Sequence, residues 1–201
     1  HTPVSAMIYA EIIHEAGYPA GVFNLVNGDG PTVGSALSRH PDIQMMSFTG
    51  STRAGTLVAK ESADTIKRVT LELGGKSPNL VFADADLDTL VPAAVAECMF
   101  NTGQSCDAPT RLLVERSCYD QVVEMAKKAT EETRVGDPTE EGDHLGPLFD
   151  QIQYDRVQAM IKVGIDEGAS LLAGGLGKPE GLETGWYLSL IHISEPTRLH
   201  G

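Results

Sequence analysis

The sequence is poor in cysteine, in positive charge and in long apolar runs. Its 201 residues include three cysteines with no CxxC spacing, which argues against a disulfide scaffold or a metal site and favours the cytoplasm. Lys and Arg number 15 against 28 Asp and Glu, so the net charge is −13. That balance disfavours nucleic acid and anionic membranes as partners. No apolar stretch approaches the roughly 18 residues of a membrane span.

What is present is an alternation of helical and strand patterns, in a chain whose apolar content of 41% suits a packed core. The periodicity predicts helices over 2–16, 30–40, 51–62, 86–101, 118–133 and 150–168. It predicts strands over 21–28, 44–50, 67–75, 79–85, 111–115 and 169–175. Such an order is typical of an α/β fold with parallel sheets and flanking helices. The double glycine after Leu73 predicts a domain seam near 72–76.

Two glycine-rich turns each follow a predicted strand and open a helix. They are NGDGPTVG (27–34) and GSTRAG (50–55). In this position backbone N–H groups and the positive end of the helix can bind a phosphate, and Ser51 could add its hydroxyl. Neither turn has G-x-G-x-x-G spacing, and each alone could be an ordinary connection. As a pair on neighbouring strands they favour a dinucleotide-binding crevice.

The three cysteines differ in their surroundings. Cys106 lies in a loop of small and polar residues, which allow a substrate to approach and leave backbone N–H groups free to face an oxyanion. A reactive nucleophile and a structural thiol both remain open for it. Cys98 lies on the apolar face of a predicted helix, and Cys118 lies near the start of another. Cys98 therefore fits a buried structural thiol, and Cys118 fits a residue of a surface helix.

Glu72 ends an apolar strand in VTLELGG (69–75). A carboxylate there is costly unless it is paired or functional. Partial burial would suit Glu72 to act as a general base. The alternative is that Glu72 faces water or pairs with Arg68 or Lys76. Without the other motifs, the surroundings of Glu72 favour this alternative.

Three segments together resemble the central signatures of the aldehyde dehydrogenase family, in the order of that family. They are FTGSTRAG (48–55), LELGGKSPNLVF (71–82) and FNTGQSCDAPTRLLV (100–114). The resemblance covers about residues 1–187. It implies part of a Rossmann-like NAD(P)-binding domain over 1–71 and the N-terminal part of a catalytic domain over 72–187. The tail 188–201 contains LIHISEPTR, which is similar to a translated sequencing adapter, and we expect it to be non-native.

The resemblance implies oxidation of an aldehyde to a carboxylic acid with NAD, or with NADP. Cys106 would attack the aldehyde and form a thiohemiacetal and then a thioester, and its backbone N–H would bind the oxyanion. Glu72 would activate the water that hydrolyses the thioester. The expected partners are a small aldehyde and further copies of the parent in a homodimer or homotetramer. The residues that the resemblance places at the cofactor are Gly28, Gly30, Pro31, Gly50, Ser51, Thr52, Gly55 and Leu73.

Several family features are not found in the chain. A Lys-Pro-x-Glu segment, an upstream oxyanion-binding asparagine and a distal glutamate are missing, so we expect an internal fragment without appreciable turnover. Asp107 beside the predicted nucleophile is unusual, since many family members have an uncharged residue there. Its negative charge would disfavour a neighbouring thiolate. A catalytically silent binding protein and a cofactor-independent cysteine acyl transferase or thioesterase stay open. A CoA-acylating member is the nearest rival among the enzymes, although such members usually lack a glutamate at the position of Glu72.

Overall fold

A computed structural model describes residues 3–189 and 192–194 of the chain. The chain divides between Gly74 and Gly75 into two compact units, each with its own sheets and helices. The predicted non-native tail 188–201 lies mostly outside the described residues. The assignment of the units to a cofactor domain and a catalytic domain stays a prediction.

The first unit is built around one parallel strand pair. Its elements are α1 (Val4–Glu15), a π-helical turn (Gly30–Gly34), α2 (Ser35–Arg39), β1 (Met45–Gly50), α3 (Thr52–Ala63) and β2 (Arg68–Leu73). Strands β1 and β2 run parallel and in register, from Met45 opposite Arg68 to Gly50 opposite Leu73. Two parallel neighbours need a crossover, and α3 provides it. The ion pair Arg39–Glu61, 2.5 Å long, links α2 to α3.

The segment before the π-helical turn differs from the sequence prediction. The predicted strand over 21–28 is wrong, because a strand needs a partner for its ladder and no described segment of this unit pairs with it. Helix α1 forms as predicted and ends at Glu15, and Gly17 after its C-cap Ala16 has a φ of +80°. No residue of α1 is buried within the described chain, and its Tyr9 contacts Phe23 edge-on at 6.0 Å. The first residue of the predicted helix, Thr2, lies outside the described residues.

The second unit holds two further strand pairs. Its elements are β3 (Pro78–Val81), α4 (Leu87–Met99), a 3-10 turn (Phe100–Gly103), β4 (Arg111–Val114), a 3-10 turn (Arg116–Cys118), α5 (Tyr119–Glu132), α6 (Gln151–Asp166), β5 (Ser170–Ala173) and β6 (His192–Ser194). Strands β3 and β4 are parallel, whereas β5 and β6 are antiparallel. The predicted α/β class with parallel sheets and flanking helices is confirmed.

The core of the second unit lies between α4 and α5. Helix α4 buries a residue at every turn, and α5 presents Val122 and Ala126 to the same cluster. The buried residues of α4 are Leu87, Val91, Val95 and Met99. Burial of each large apolar side chain contributes about 1.5–3 kcal/mol. Leu90, on the same helix, is not part of this buried row and is 49% exposed.

One charged side chain links the segment after β5 to helix α6. The Lys178 ammonium lies 4.9 Å from the ring centre of Trp186 and 5.8 Å from that of Tyr154. The two rings are 5.9 Å apart, and Lys178 donates a hydrogen bond of 2.7 Å to the Glu183 carbonyl. Because an ammonium is attracted to the faces of aromatic rings, this arrangement holds residues 178–186 against α6.

Candidate active site

The carboxyl ends of β1 and β2 bring several predicted site residues together. The parallel register places Glu72 opposite Thr49 and Leu73 opposite Gly50. Helix α3 begins directly after Gly50, so its first turn lies at the same edge as the end of β2. This edge therefore collects Gly50, Ser51, Thr52, Gly55, Glu72 and Leu73, all six of which the sequence singled out.

The start of α3 has both a cap and free donors. The Ser51 hydroxyl accepts a hydrogen bond from the Ala54 N–H at 3.2 Å, and the Ser51 carbonyl accepts one from Gly55 at 2.9 Å. The hydroxyl expected to face a phosphate is thus the N-cap of the helix. Within the described chain, the N–H groups of Thr52 and Arg53 meet no acceptor. Such unsatisfied donors at a helix start can bind an anion.

Two glycines at this edge permit close packing. A Cβ at Gly55 would lie 2.7 Å from Cδ2 of Leu73, so only glycine lets α3 approach β2 this closely without displacing that side chain. A Cβ at Gly50 would lie 2.5 Å from Cζ of Phe48. Packing alone therefore accounts for both glycines, and it leaves the helix start close to the strand ends.

The first glycine-rich turn has a cap that the sequence reasoning missed. The Asp29 carboxylate accepts a 2.7 Å hydrogen bond from the Thr32 N–H, and its carbonyl accepts one from Val33 at 2.9 Å. Hydrogen bonding by the Thr32 side chain and backbone lowers the pKa of Asp29. An aspartate ahead of Gly30-Pro31 is a recognisable N-cap signal, since proline is favoured in the first helical turn.

The other predicted residues of that turn have different surroundings. A Cβ at Gly28 would lie 2.1 Å from Cγ2 of Val33, so Gly28 is needed for packing. Gly30 has open space where a Cβ would be, and Pro31 occupies the first turn of the π-helical segment. The turn leads into α2, and α2 packs against α3.

Glu72 is exposed on β2. The strand alternates strictly between exposed and half-buried side chains, and Glu72 falls on the exposed face with Arg68 and Thr70. The expected partial burial is therefore absent in the described unit. Among the described residues no ion pair joins Glu72 to Arg68.

Cys106 lies in the second unit, just after a left-handed turn. Asn101, Thr102 and Gly103 have φ angles of +52°, +58° and +72°. Asparagine and glycine tolerate this region, but a β-branched residue such as threonine is an outlier there. Gln104 closes the turn, because its backbone N–H and its side-chain amide both donate to the Asn101 carbonyl, at 3.1 and 3.0 Å.

The immediate surroundings of Cys106 are open. Its side chain is exposed, and within the described chain its backbone N–H donates to no acceptor. A Cβ at Gly75 would lie 3.4 Å from the Cys106 carbonyl oxygen, so Gly75 allows its segment to pass close to the loop. Asp107 is also exposed. A free N–H on the residue that carries a thiol can bind an oxyanion formed at that sulfur.

The other two cysteines are less accessible: Cys98 lies on its apolar helix face as predicted, whereas the predicted surface position of Cys118 is wrong, because its residue packs into the core between α4 and α5. Cys98 is half-buried on α4, where burial raises the pKa of its thiol while the charge of Lys76 opposes that shift. Cys118 is buried in the core, and its thiol donates to the Glu115 carbonyl at 3.4 Å. Cys106 is thus the one exposed cysteine of the chain.

Comparison with known proteins decides the family. The sequence profile of the aldehyde dehydrogenase family matches residues 1–197. The chain belongs to that family. It is 54% identical over 185 residues to a 3-succinoylsemialdehyde-pyridine dehydrogenase from a Pseudomonas species. That alignment covers 92% of this chain and 39% of the relative, so the chain spans about two fifths of the aldehyde dehydrogenases it matches.

Solved aldehyde dehydrogenases share the fold. An aldehyde dehydrogenase from Bartonella henselae is 53% identical with a TM-score of 0.93, over 95% of this chain and 40% of that one. A cysteine-to-alanine variant of aldehyde dehydrogenase C from Pseudomonas syringae, in complex with NAD+ and octanal, is 50% identical with a TM-score of 0.94, over 96% of this chain and 40% of that one. A Bacillus cereus aldehyde dehydrogenase in complex with NAD+ is 40% identical with a TM-score of 0.92, over 98% and 39% of the respective chains.

The described residues of this aldehyde dehydrogenase chain show neither a membrane-spanning helix nor a cluster of metal ligands. No helix among them combines the length and the apolar character that a bilayer crossing requires. No group of three or more His, Cys, Asp or Glu side chains in the same part of the chain converges as metal ligands would.

Proposed function

We propose that this chain is part of an enzyme that oxidises an aldehyde to a carboxylic acid with NAD(P)+, and that Cys106 is its nucleophile. The observation that carries the proposal is the state of Cys106, an exposed thiol whose own backbone N–H is unpaired within the described chain. Membership of the aldehyde dehydrogenase family supports the reaction class. Aldehydes are small electrophiles, and a thiolate is a strong nucleophile for their carbonyl carbon.

The proposed cycle begins when the Cys106 thiolate forms a C–S bond to the aldehyde carbon. The carbonyl electron pair moves to the oxygen, where the Cys106 N–H stabilises the oxyanion. Bound NAD(P)+ supplies the acceptor for the hydride that leaves this carbon. The oxyanion then re-forms a carbonyl, and Cys106 holds a thioester.

Glu72 acts in the second half of the proposed cycle. Its carboxylate removes a proton from water, and the water oxygen attacks the thioester carbon. The C–S bond breaks, the carboxylic acid leaves, Cys106 is restored as a thiolate, and Glu72 releases the proton to solvent. A thiolate is a good leaving group, but the attacking water needs a base of its own, so the cycle needs both residues.

The start of α3 supports the cofactor part of the proposal. Two backbone N–H groups, those of Thr52 and Arg53, meet no acceptor among the described residues, and the helix end is positive. Gly50 and Gly55 keep the neighbouring backbone close to the strand ends. An anionic cofactor group such as a pyrophosphate fits these donors. Gly28, Gly30, Pro31, Ser51 and Leu73 complete the proposed cofactor surroundings.

The remaining parts of the proposal concern the whole protein. The chain spans 39% of its 3-succinoylsemialdehyde-pyridine dehydrogenase relative, so we propose that it does not turn over by itself. The complete enzyme would be a cytoplasmic homodimer or homotetramer that uses NAD or NADP. Expression of this chain alone with NAD and a panel of aldehydes should yield no NADH, whereas the complete reading frame should yield it.

The decisive experiment compares variants in the complete reading frame. Cys106→Ser should lower the rate of NADH formation by about three orders of magnitude or more, since the covalent step is lost. Glu72→Gln should keep a single-turnover burst of NADH and then stall with an acylated cysteine. Cys98→Ala and Glu97→Gln are the matched controls, because both lie on α4 and have no proposed role.

Three outcomes would overturn the assignment. Turnover that survives Cys106→Ser would leave Cys106 as a structural thiol. A complete protein that makes no NADH from any aldehyde, but cleaves thioesters through Cys106, would instead be a cofactor-independent acyl transferase or thioesterase. A protein that does neither would be a silent member of the family.

A further inference from the structure

We propose that Thr102 is a positioning residue for Cys106: its hydroxyl bond to the Gly146 carbonyl holds the left-handed turn that sets the direction of the cysteine loop. The catalytic consequence rests on the proposed role of Cys106 as nucleophile. The Thr102 hydroxyl donates a 2.9 Å hydrogen bond to a carbonyl 44 residues away in the chain. The side chain itself is buried.

The turn needs an external hold because its conformation is unfavourable for its central residue. Thr102 is β-branched and has φ +58° and ψ +33°, in the left-handed region. Backbone strain of this kind persists only where the surroundings enforce it. Among the described residues, the Thr102 side chain makes one hydrogen bond to a distant part of the chain, the bond to the Gly146 carbonyl. This bond is therefore a tertiary restraint on the turn.

The carbonyl that accepts this bond belongs to an anchored segment. Leu145 donates to the Arg134 carbonyl at 2.9 Å, and Gly136 donates to the Leu145 carbonyl at 3.0 Å. The Leu145 side chain packs on the core between α4 and α5. Two residues beyond Gly146, the Leu148 N–H donates to the Trp186 carbonyl at 2.9 Å. Thr102 thus ties the turn to a segment that is fixed on both sides.

The left-handed turn also fixes the start of the loop that carries Cys106. Both donors of Gln104 bond to the Asn101 carbonyl, which leaves one residue, Ser105, between this closed turn and Cys106. A rotation at Thr102 would therefore redirect the Cys106 backbone N–H, the donor proposed for the oxyanion. Misplacement of a reacting group by about 1 Å can reduce a rate by roughly 100-fold.

The test uses two substitutions at Thr102 and one matched control. Thr102→Val removes the hydroxyl but keeps the branched shape, and Thr102→Ser keeps the hydroxyl. Thr133→Val is the control, since Thr133 is a half-buried threonine of the same unit whose hydroxyl also donates to a carbonyl, that of Ala129, at 2.8 Å. Hydrogen exchange of the 201-residue chain is followed by mass spectrometry in the peptide that covers 103–108.

In Thr102→Val we expect exchange in 103–108 to accelerate by about 10-fold, the factor for one lost hydrogen bond, with Thr102→Ser and Thr133→Val close to wild type there. In the complete enzyme, Thr102→Val should lower kcat by about 10-fold or more while KM stays within about 2-fold, because the restraint acts on the reacting group rather than on substrate binding. Thr102→Ser should restore kcat.

The exchange arm does not depend on catalysis, so it separates the two proposals. If the complete wild-type protein oxidises no aldehyde, the proposed function fails and the exchange data still decide whether Thr102 holds the loop. Unchanged exchange in Thr102→Val, or equal effects of Thr102→Val and Thr102→Ser, would overturn the positioning role. Equal losses of kcat in Thr102→Val and Thr133→Val would also overturn the positioning role, because they would show a general effect on stability.

Discussion

The contact between Gly55 and Leu73 allows a sharp test of how α3 is seated on β2. The substitution Gly55→Ala would place a Cβ 2.7 Å from Cδ2 and 3.3 Å from Cδ1 of Leu73. Overpacking of this kind costs about 1–3 kcal/mol. Alanine gains about 1 kcal/mol over glycine in a helix. The expected net effect is a loss of about 1 kcal/mol in the free energy of unfolding.

The sign of this effect should reverse when Leu73 is shortened. In a Leu73→Ala background both clashing atoms are gone, so Gly55→Ala should then stabilise the chain by up to about 1 kcal/mol. The two effects correspond to a coupling energy of about 2 kcal/mol. Urea unfolding followed by far-UV circular dichroism measures all four members of the cycle, with the slope checked for constancy.

A different sign pattern would refute the packing argument. If Gly55→Ala costs the same in both backgrounds, the clash with Leu73 does not explain the glycine. Gly34→Ala is the matched control, because its Cβ would meet nothing within 4 Å and it too is helical, without a positive φ. That substitution should show no coupling to Leu73.

Two further predictions concern backbone strain and pH. Ile66 has φ +53° and is 91% exposed. Because asparagine tolerates the left-handed region better than a β-branched residue, Ile66→Asn should stabilise the chain by about 1 kcal/mol, whereas Ile66→Val should change little. Thermal unfolding that shows no gain for asparagine would contradict this. Hydrogen bonds from Ser117 and then Ala83 lower the pKa of Glu115 below its ordinary 4.5, so its contribution to stability is complete above that value and is lost as pH falls through the lowered pKa. Urea midpoints measured from about pH 6 to pH 3 should therefore fall less in Glu115→Gln than in wild type; identical acid limbs would contradict this.

Local patterns were enough to predict most of the helices and paired strands. Helices α3 and α5 follow from apolar spacing, and the order of β1, α3 and β2 predicts that Glu72 and Leu73 end beside the start of α3. The strand predicted over 21–28 was wrong for a reason that local sequence does not contain. Its composition suits a strand, but a strand exists only where a neighbour supplies the other half of the ladder.

The turn before Cys106 shows a second limit of sequence reasoning. Asn101 and Gly103 are both tolerant of positive φ, but Thr102 between them argues against a left-handed turn. The restraint that fixes this conformation comes from Gly146, far along the chain, and no spacing rule connects the two positions. The exposure of Glu72 could likewise be read only from the register of its strand, since either face of a two-stranded sheet is compatible with the sequence.

The contacts of Trp186 have a practical consequence. It is the single tryptophan of the chain, and it lies in the second unit in contact with both the Lys178 ammonium and the Tyr154 ring. Because the one tryptophan lies in the second unit, selectively excited tryptophan emission reports on that unit alone, whereas circular dichroism reports on both. Denaturation curves recorded by the two signals on one sample would separate the melting of the two halves without any label. The natural sequence position of Trp186 thus gives the second unit, and not the first, its own tryptophan signal.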